Sequence, residues 1–62
     1  MRGQTKAFNE MIAVYPKLKT DRQLLQDAFH SENVSKIKNG GHWIVNLDEF
    51  EQEVIRLLEI KN

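Results

Sequence analysis

Apolar positions along this chain recur with two different periods, and the change of period marks its parts. Phe8, Met11, Ile12 and Tyr15 fall at the i, i+3, i+4, i+7 spacing of one helical face, so a helix is predicted over about Lys6 to Val14 with Thr5 as its cap. Pro16 ends it, because the residue before a proline is forced out of the α region. Thr20-Asp21-Arg22-Gln23 reads as a second helix start, with Thr20 at the cap and Gln23 three residues on. Leu24, Leu25, Ala28 and Phe29 supply its buried stripe, and the helix runs to His30. The Pro16-to-Lys19 link between the two is as short as a helix-turn-helix requires. A third helix from Leu47 to about Glu59 follows from Leu47, Phe50, Val54, Leu57 and Leu58. Asn46 and Glu49 form its capping box, and Asp48, Glu49, Glu51 and Glu53 crowd the first two turns, where the helix dipole favours anions.

Between the second and third helices, Ile37-Lys38-Asn39-Gly40-Gly41-His42-Trp43-Ile44-Val45 reads as strand, turn and strand. Asn39, Gly40 and Gly41 all tolerate the positive φ that a tight hairpin turn needs. A three-residue Asn39-Gly40-Gly41 loop sets Lys38 opposite His42 and Ile37 opposite Trp43, with two apolar side chains on one face. A two-residue Asn39-Gly40 loop sets Lys36 opposite Trp43 instead. The first register is the one expected, with Ile37, Trp43 and Val45 facing the core, Ile44 turned partly outward, and Trp43 anchoring the interior through its area. Ser31 to Ser35 reads equally as a loop or as a further helical turn. Met1 to Gln4 is expected to be a loose polar arm.

At 62 residues the chain is one small domain over 1–62, mainly α with one β-hairpin, and a stability margin of only about 3–5 kcal/mol is expected. No cysteine is present, so neither a disulfide nor a cysteine zinc site staples it, which fits a reducing cytoplasm. No apolar run approaches the roughly 18 residues of a membrane span, and no signal-peptide-like apolar region opens the chain. The expectation is a cytoplasmic protein with no membrane partner. Net charge is zero, but it is unevenly spread: seven cations against four anions in residues 1–42, and two against five in 43–62. One face meeting an anion, with a distant acidic helix, fits that polarity.

Catalytic ingredients are scarce. The two histidines, His30 and His42, stand in no metal-ligand spacing, and Gly40-Gly41 belongs to no phosphate-loop pattern. Ser31 and Ser35 lie near His30, but a nucleophile also needs a base held by a third group and an oxyanion site. The acidic cluster from Glu49 to Glu53 reads as a solvated helix face. No enzyme activity, metal or cofactor is therefore expected. Lys36, Lys38 and His42 around the glycine tip are different: folding has no evident need of cations there, whereas phosphates are met by such side chains and by exposed backbone N–H groups.

The run Thr5-Lys6-Ala7-Phe8-Asn9-Glu10-Met11-Ile12, the short second helix, and Lys38-Asn39-Gly40-Gly41-His42-Trp43-Ile44-Val45-Asn46-Leu47-Asp48-Glu49-Phe50 together resemble the small phage and transposon excisionases, which share a MerR-like winged-helix fold. In that family an aromatic and an aliphatic residue two apart follow the wing glycine and a polar residue opens the last helix, as Trp43, Val45 and Asn46 do here. The turn before the second helix is longer than the family's, and Asp27 stands where basic residues are usual. The resemblance implies a winged helix-turn-helix with the wing between helices 2 and 3. It implies an architectural factor that binds double-stranded DNA beside copies of itself and directs a recombinase (integrase) toward excision. On this sequence Arg22, Gln23 and Gln26 would read base edges, since Arg and Gln pair bidentately with guanine and adenine. Lys19, Lys36, Lys38 and His42 would neutralise phosphates. Thr20, His30 and Asn39 complete the contact set, and Gly40 and Gly41 let the backbone come close. Arg2 and Lys6 would add a basic arm. A small mobile-element repressor on the same fold is the alternative, as is an adaptor or inhibitor that binds protein and not DNA.

Overall fold

The computed structural model describes residues 2–61, with the side chain of Lys61 outside that description. Three helices pack together with a small antiparallel sheet beside them, in the order β1 (Arg2–Gly3), α1 (Gln4–Val14), a 3-10 helix (Pro16–Thr20), α2 (Arg22–Phe29), β2 (Lys36–Asn39), β3 (His42–Val45) and α3 (Leu47–Lys61). The strand order is β1-β3-β2. Three amphipathic helices and a hairpin are thus where the apolar periods place them.

The N-terminal arm is not loose over the described residues. Arg2 pairs with Val45 and Gly3 with Ile44, so the hairpin gains a third strand. The Arg2 guanidinium lies 3.3 Å from the Glu10 carboxylate, which ties that cation to α1. Gly3, not Thr5, occupies the cap position of α1, and Thr5 lies inside the first turn. The second helix also starts later than expected. Its cap position is held by Asp21, while Thr20 belongs to the 3-10 helix and donates its hydroxyl to the Lys17 carbonyl at 3.1 Å. That 3-10 helix buries Leu18 completely, which gives the inter-helix link a core residue of its own.

Phe8, Phe29 and Phe50, one from each α-helix, meet at the centre. Phe8 stacks on Phe50 at 5.6 Å, and Phe29 meets both edge-on at 5.8 and 6.2 Å. Full burial of each such ring contributes about 1.5–3 kcal/mol, so this triad is the anchor expected of Trp43. Trp43 itself is 37% exposed on the ribbon.

The hairpin register differs from both sequence-derived alternatives. Asn39 pairs with His42, Lys38 with Trp43, Ile37 with Ile44 and Lys36 with Val45, leaving Gly40-Gly41 as a two-residue turn. Their φ values of +57° and +87° have the sign pattern of a type I′ turn, whose twist matches that of the strands. Val45, Trp43, Lys36 and Lys38 therefore share the helix-facing side, and Ile37 is turned out, 58% exposed. The register is locked at the base of the ribbon. The Asn46 N–H donates to the Ser35 carbonyl at 2.9 Å, and the Ser35 N–H donates to the Glu49 carboxylate at 2.7 Å.

Residues 31–35 are a loop of turns, with the Asn33 N–H on the Ser31 hydroxyl at 3.1 Å and Val34 buried. The acidic helix start is not simply solvated. Asn46 caps α3 by accepting the Glu49 N–H at 3.1 Å, but Glu49 reaches Ser35 and not back to the cap. Glu53, one turn on, is buried; it accepts from Asn33 Nδ2 at 3.2 Å and from Arg56 Nε at 2.8 Å.

Candidate functional site

Polar side chains converge where the end of α2 meets the ribbon. Phe29 is the hinge of this region: beyond its core partners it meets the His30 ring edge-on at 5.5 Å and the Trp43 ring edge-on at 6.5 Å. Lys38 Nζ stands 5.8 Å from the centroid of Trp43, a cross-strand cation–π pair set by the register. Lys36 Nζ stands 5.8 Å from the centroid of Phe29 and donates weakly to the carbonyls of Ser31 and Val34 at 3.4 and 3.5 Å. Lys36 is half-buried and helps hold the loop, so one of the two strand cations does serve folding.

Helical geometry sorts the residues of α2. Arg22, Gln26 and His30 recur at i, i+4, i+8 and form one stripe on the Phe29 flank, toward the ribbon. Gln23 lies on the other flank: its amide donates to Asp27 at 3.0 Å, and both line a shallow cleft with Leu24, Leu57 and Ile60 beside α3. Asp27 thus points toward the end of α3, away from the two ribbon lysines, and takes Gln23 with it.

The hairpin residues divide as well. Lys36 and Lys38 share the helix-facing side, whereas Asn39 and His42 alternate to the outer side of the sheet. His42 borders a cleft of 470 Å³ at the tip, with Gly41, Trp43, Thr5 and Lys6 among its walls. Lys6 is thereby brought beside the tip, although nothing local in the sequence joins them. Lys19 and Thr20 are exposed on the 3-10 helix, one element before the stripe. The exposed Trp43 ring was hidden from sequence reasoning because its facing depends on register; its pairing with Lys38 across the turn becomes visible only once Gly40-Gly41 is known to be the loop.

Two carboxylates support the site from behind. Glu49 is held below its ordinary value of 4.5 by the hydrogen bonds it accepts from Ser35. Glu53 is held below 4.5 chiefly by Arg56, with Asn33 and Ser31 adding to the effect and burial opposing it. Together they pin the 31–35 loop that joins α2 to the ribbon. Among the described residues no group of three or more His, Cys, Asp or Glu side chains is placed to hold a metal ion, and no helix is long and apolar enough to cross a membrane. Comparisons with protein-family models, with curated proteins and with solved structures find no match.

Proposed function

We propose that this chain is a winged helix-turn-helix protein that binds double-stranded DNA, as an architectural factor of the excisionase type. The observation that carries the reading is that Lys36 and Lys38 lie on the side of the ribbon next to the end of α2, whose Arg22–Gln26–His30 stripe runs along the Phe29 flank. In this reading α2 lies in the major groove, where Gln26 and Arg22 meet base edges. Lys38 and the solvent side of Lys36 neutralise flanking phosphates, with Lys19 and Thr20 on the backbone at the entry to the helix. The Gly40-Gly41 tip, whose Cβ positions are empty, lets the ribbon backbone approach the adjacent minor groove, with Asn39, His42 and Lys6 at its rim. Gln23, engaged by Asp27, contributes only if that hydrogen bond opens.

The test is fluorescence anisotropy on duplex DNA over a salt series, beginning with sequences selected from a random pool. Binding should weaken steeply with salt, and Lys38→Ala and Lys19→Ala should each reduce the slope of log K against log salt by about 1. Gln26→Ala should instead relax the selected sequence preference. Absence of binding at low ionic strength, or an unchanged slope in both cation variants, overturns the reading. A repressor would use the same surface. The two roles separate in a recombination assay, where only an excisionase shifts a recombinase toward excision.

A further inference from the structure

We infer that Trp43 is itself a DNA contact, a flat apolar seat for one deoxyribose of the strand that passes between α2 and the tip of the ribbon. The inference rests on the proposed DNA-binding function and adds to it a contact that owes nothing to charge. The interior is filled without this ring. Phe8, Phe29 and Phe50 make up its centre, and Trp43 meets that triad at Phe29, edge-on at 6.5 Å. A tryptophan left 37% exposed in a 62-residue chain keeps a large apolar surface on the outside, where aromatic rings are enriched at contacts with partners.

The surroundings of the ring select its occupant. Trp43 shares the side of the ribbon that carries Lys36 and Lys38, next to the end of α2, so it lies between the two elements assigned to DNA. In the sheet order β1-β3-β2, Lys38 stands on its β2 flank, with Nζ 5.8 Å from the ring centroid. On the other flank β1 stops short: Gly3 pairs with Ile44, and the chain then turns into α1. That flank opens into the 470 Å³ cleft at the tip, which Trp43 lines together with Gln4, Thr5 and Lys6. No carboxylate is among the described residues that line it. An apolar ring with an exposed lysine on each flank and open space beside it complements a sugar with a phosphate on either side. A purely apolar partner would cover Lys6 and Lys38 without counter-charge, whereas a backbone nucleotide offers each of them a phosphate. Every nucleotide presents the same sugar, so the contact adds affinity without sequence preference.

Trp43 is the sole tryptophan, so intrinsic fluorescence reports this position alone. The test is acrylamide quenching of the wild-type chain with and without a saturating duplex, beside an anisotropy titration of the same duplex carrying a label. Quenching should be largely lost in the complex. Trp43→Leu should weaken binding about tenfold at every salt concentration and leave the slope of log K against log salt unchanged, because the lost contact is apolar. Trp43→Phe, which keeps a flat ring, should recover most of the affinity, and the loss in the Leu variant should be equal on selected and unselected duplexes. Circular dichroism confirms that both variants keep their helices. A duplex that binds by anisotropy yet leaves Trp43 as open to acrylamide as before overturns this contact and leaves the wider reading standing. So does a Leu variant with wild-type affinity, or one whose salt slope falls as in a lysine variant. A wild-type chain that binds no duplex overturns both.

Discussion

Glu53 shows most directly how one side chain serves two parts of the molecule. Its carboxylate is buried, and it collects donors from Asn33 in the loop and from Arg56 on its own helix. Glu53→Ala leaves those donors without their acceptor, and a loss of about 1.5–3 kcal/mol is expected in urea denaturation, a large share of a small domain's margin. The turn glycines carry a different constraint. A Cβ at either position meets open space, so the cost of substitution lies in backbone conformation alone. Gly41, at φ +87°, should lose about 1 kcal/mol on replacement by Ala, whereas Gly40→Asn at φ +57° should be nearly neutral, because Asn tolerates the left-handed region. Thermal melts of the two variants check this, and equal shifts would mean that the turn is not built as described.

At the scale of elements, the ribbon takes its register from α3. Ser35 offers its carbonyl to the first residue after β3 and its N–H to Glu49, so a slip of one residue would break both bonds before any side chain moved. Replacing Glu49 by Gln weakens the acceptor for that N–H, and hydrogen exchange of the β2 amides should quicken while α1 amides keep their protection. The pH dependence follows from the same clasp. Both carboxyls are held below 4.5 in the folded chain, so their stabilisation is complete above the unfolded-state value and is lost as pH falls below about 4.5 through the folded-state values. The wild type should lose stability as acid is added across that window, and a Glu49→Gln, Glu53→Gln double variant should show a flatter profile.

Across the whole molecule, zero net charge conceals a division of labour. The excess of cations lies in residues 1–42 and the excess of anions in 43–62, but the fold does not merely separate them. It sets Glu49 and Glu53 against the loop, ties Arg2 to Glu10, and leaves Lys38 exposed over Trp43. Lys36 is shared between folding and surface. Under the proposed DNA-binding function, Lys36→Ala should therefore lower both the melting temperature and DNA affinity, whereas Lys38→Ala should lower affinity with a melting temperature within about 2 °C of wild type. Parallel melts and anisotropy titrations distinguish the two lysines, and identical behaviour would contradict their different surroundings.

The helices were legible in the sequence because their stabilisation is periodic and local: Phe8 and Met11, Leu24 and Ala28, Phe50 and Val54 are buried at the spacing that predicts them. The glycine turn was legible as a turn, since positive φ is a local demand. Its length was not, because Gly40-Gly41 and the longer loop containing Asn39 are equally allowed locally, and the choice is made at Ser35 by groups 11 and 14 residues further along the chain. For the same reason the sequence alone could not show that β1 pairs with β3, that Phe29 displaces Trp43 as the anchor, or that Asn39 and His42 part from the two lysines. The amino-acid order determined which elements form and which residues carry charge. Tertiary structure decided which charges share a side, because one residue of register reverses every strand side chain and only contacts distant in sequence hold that register fixed.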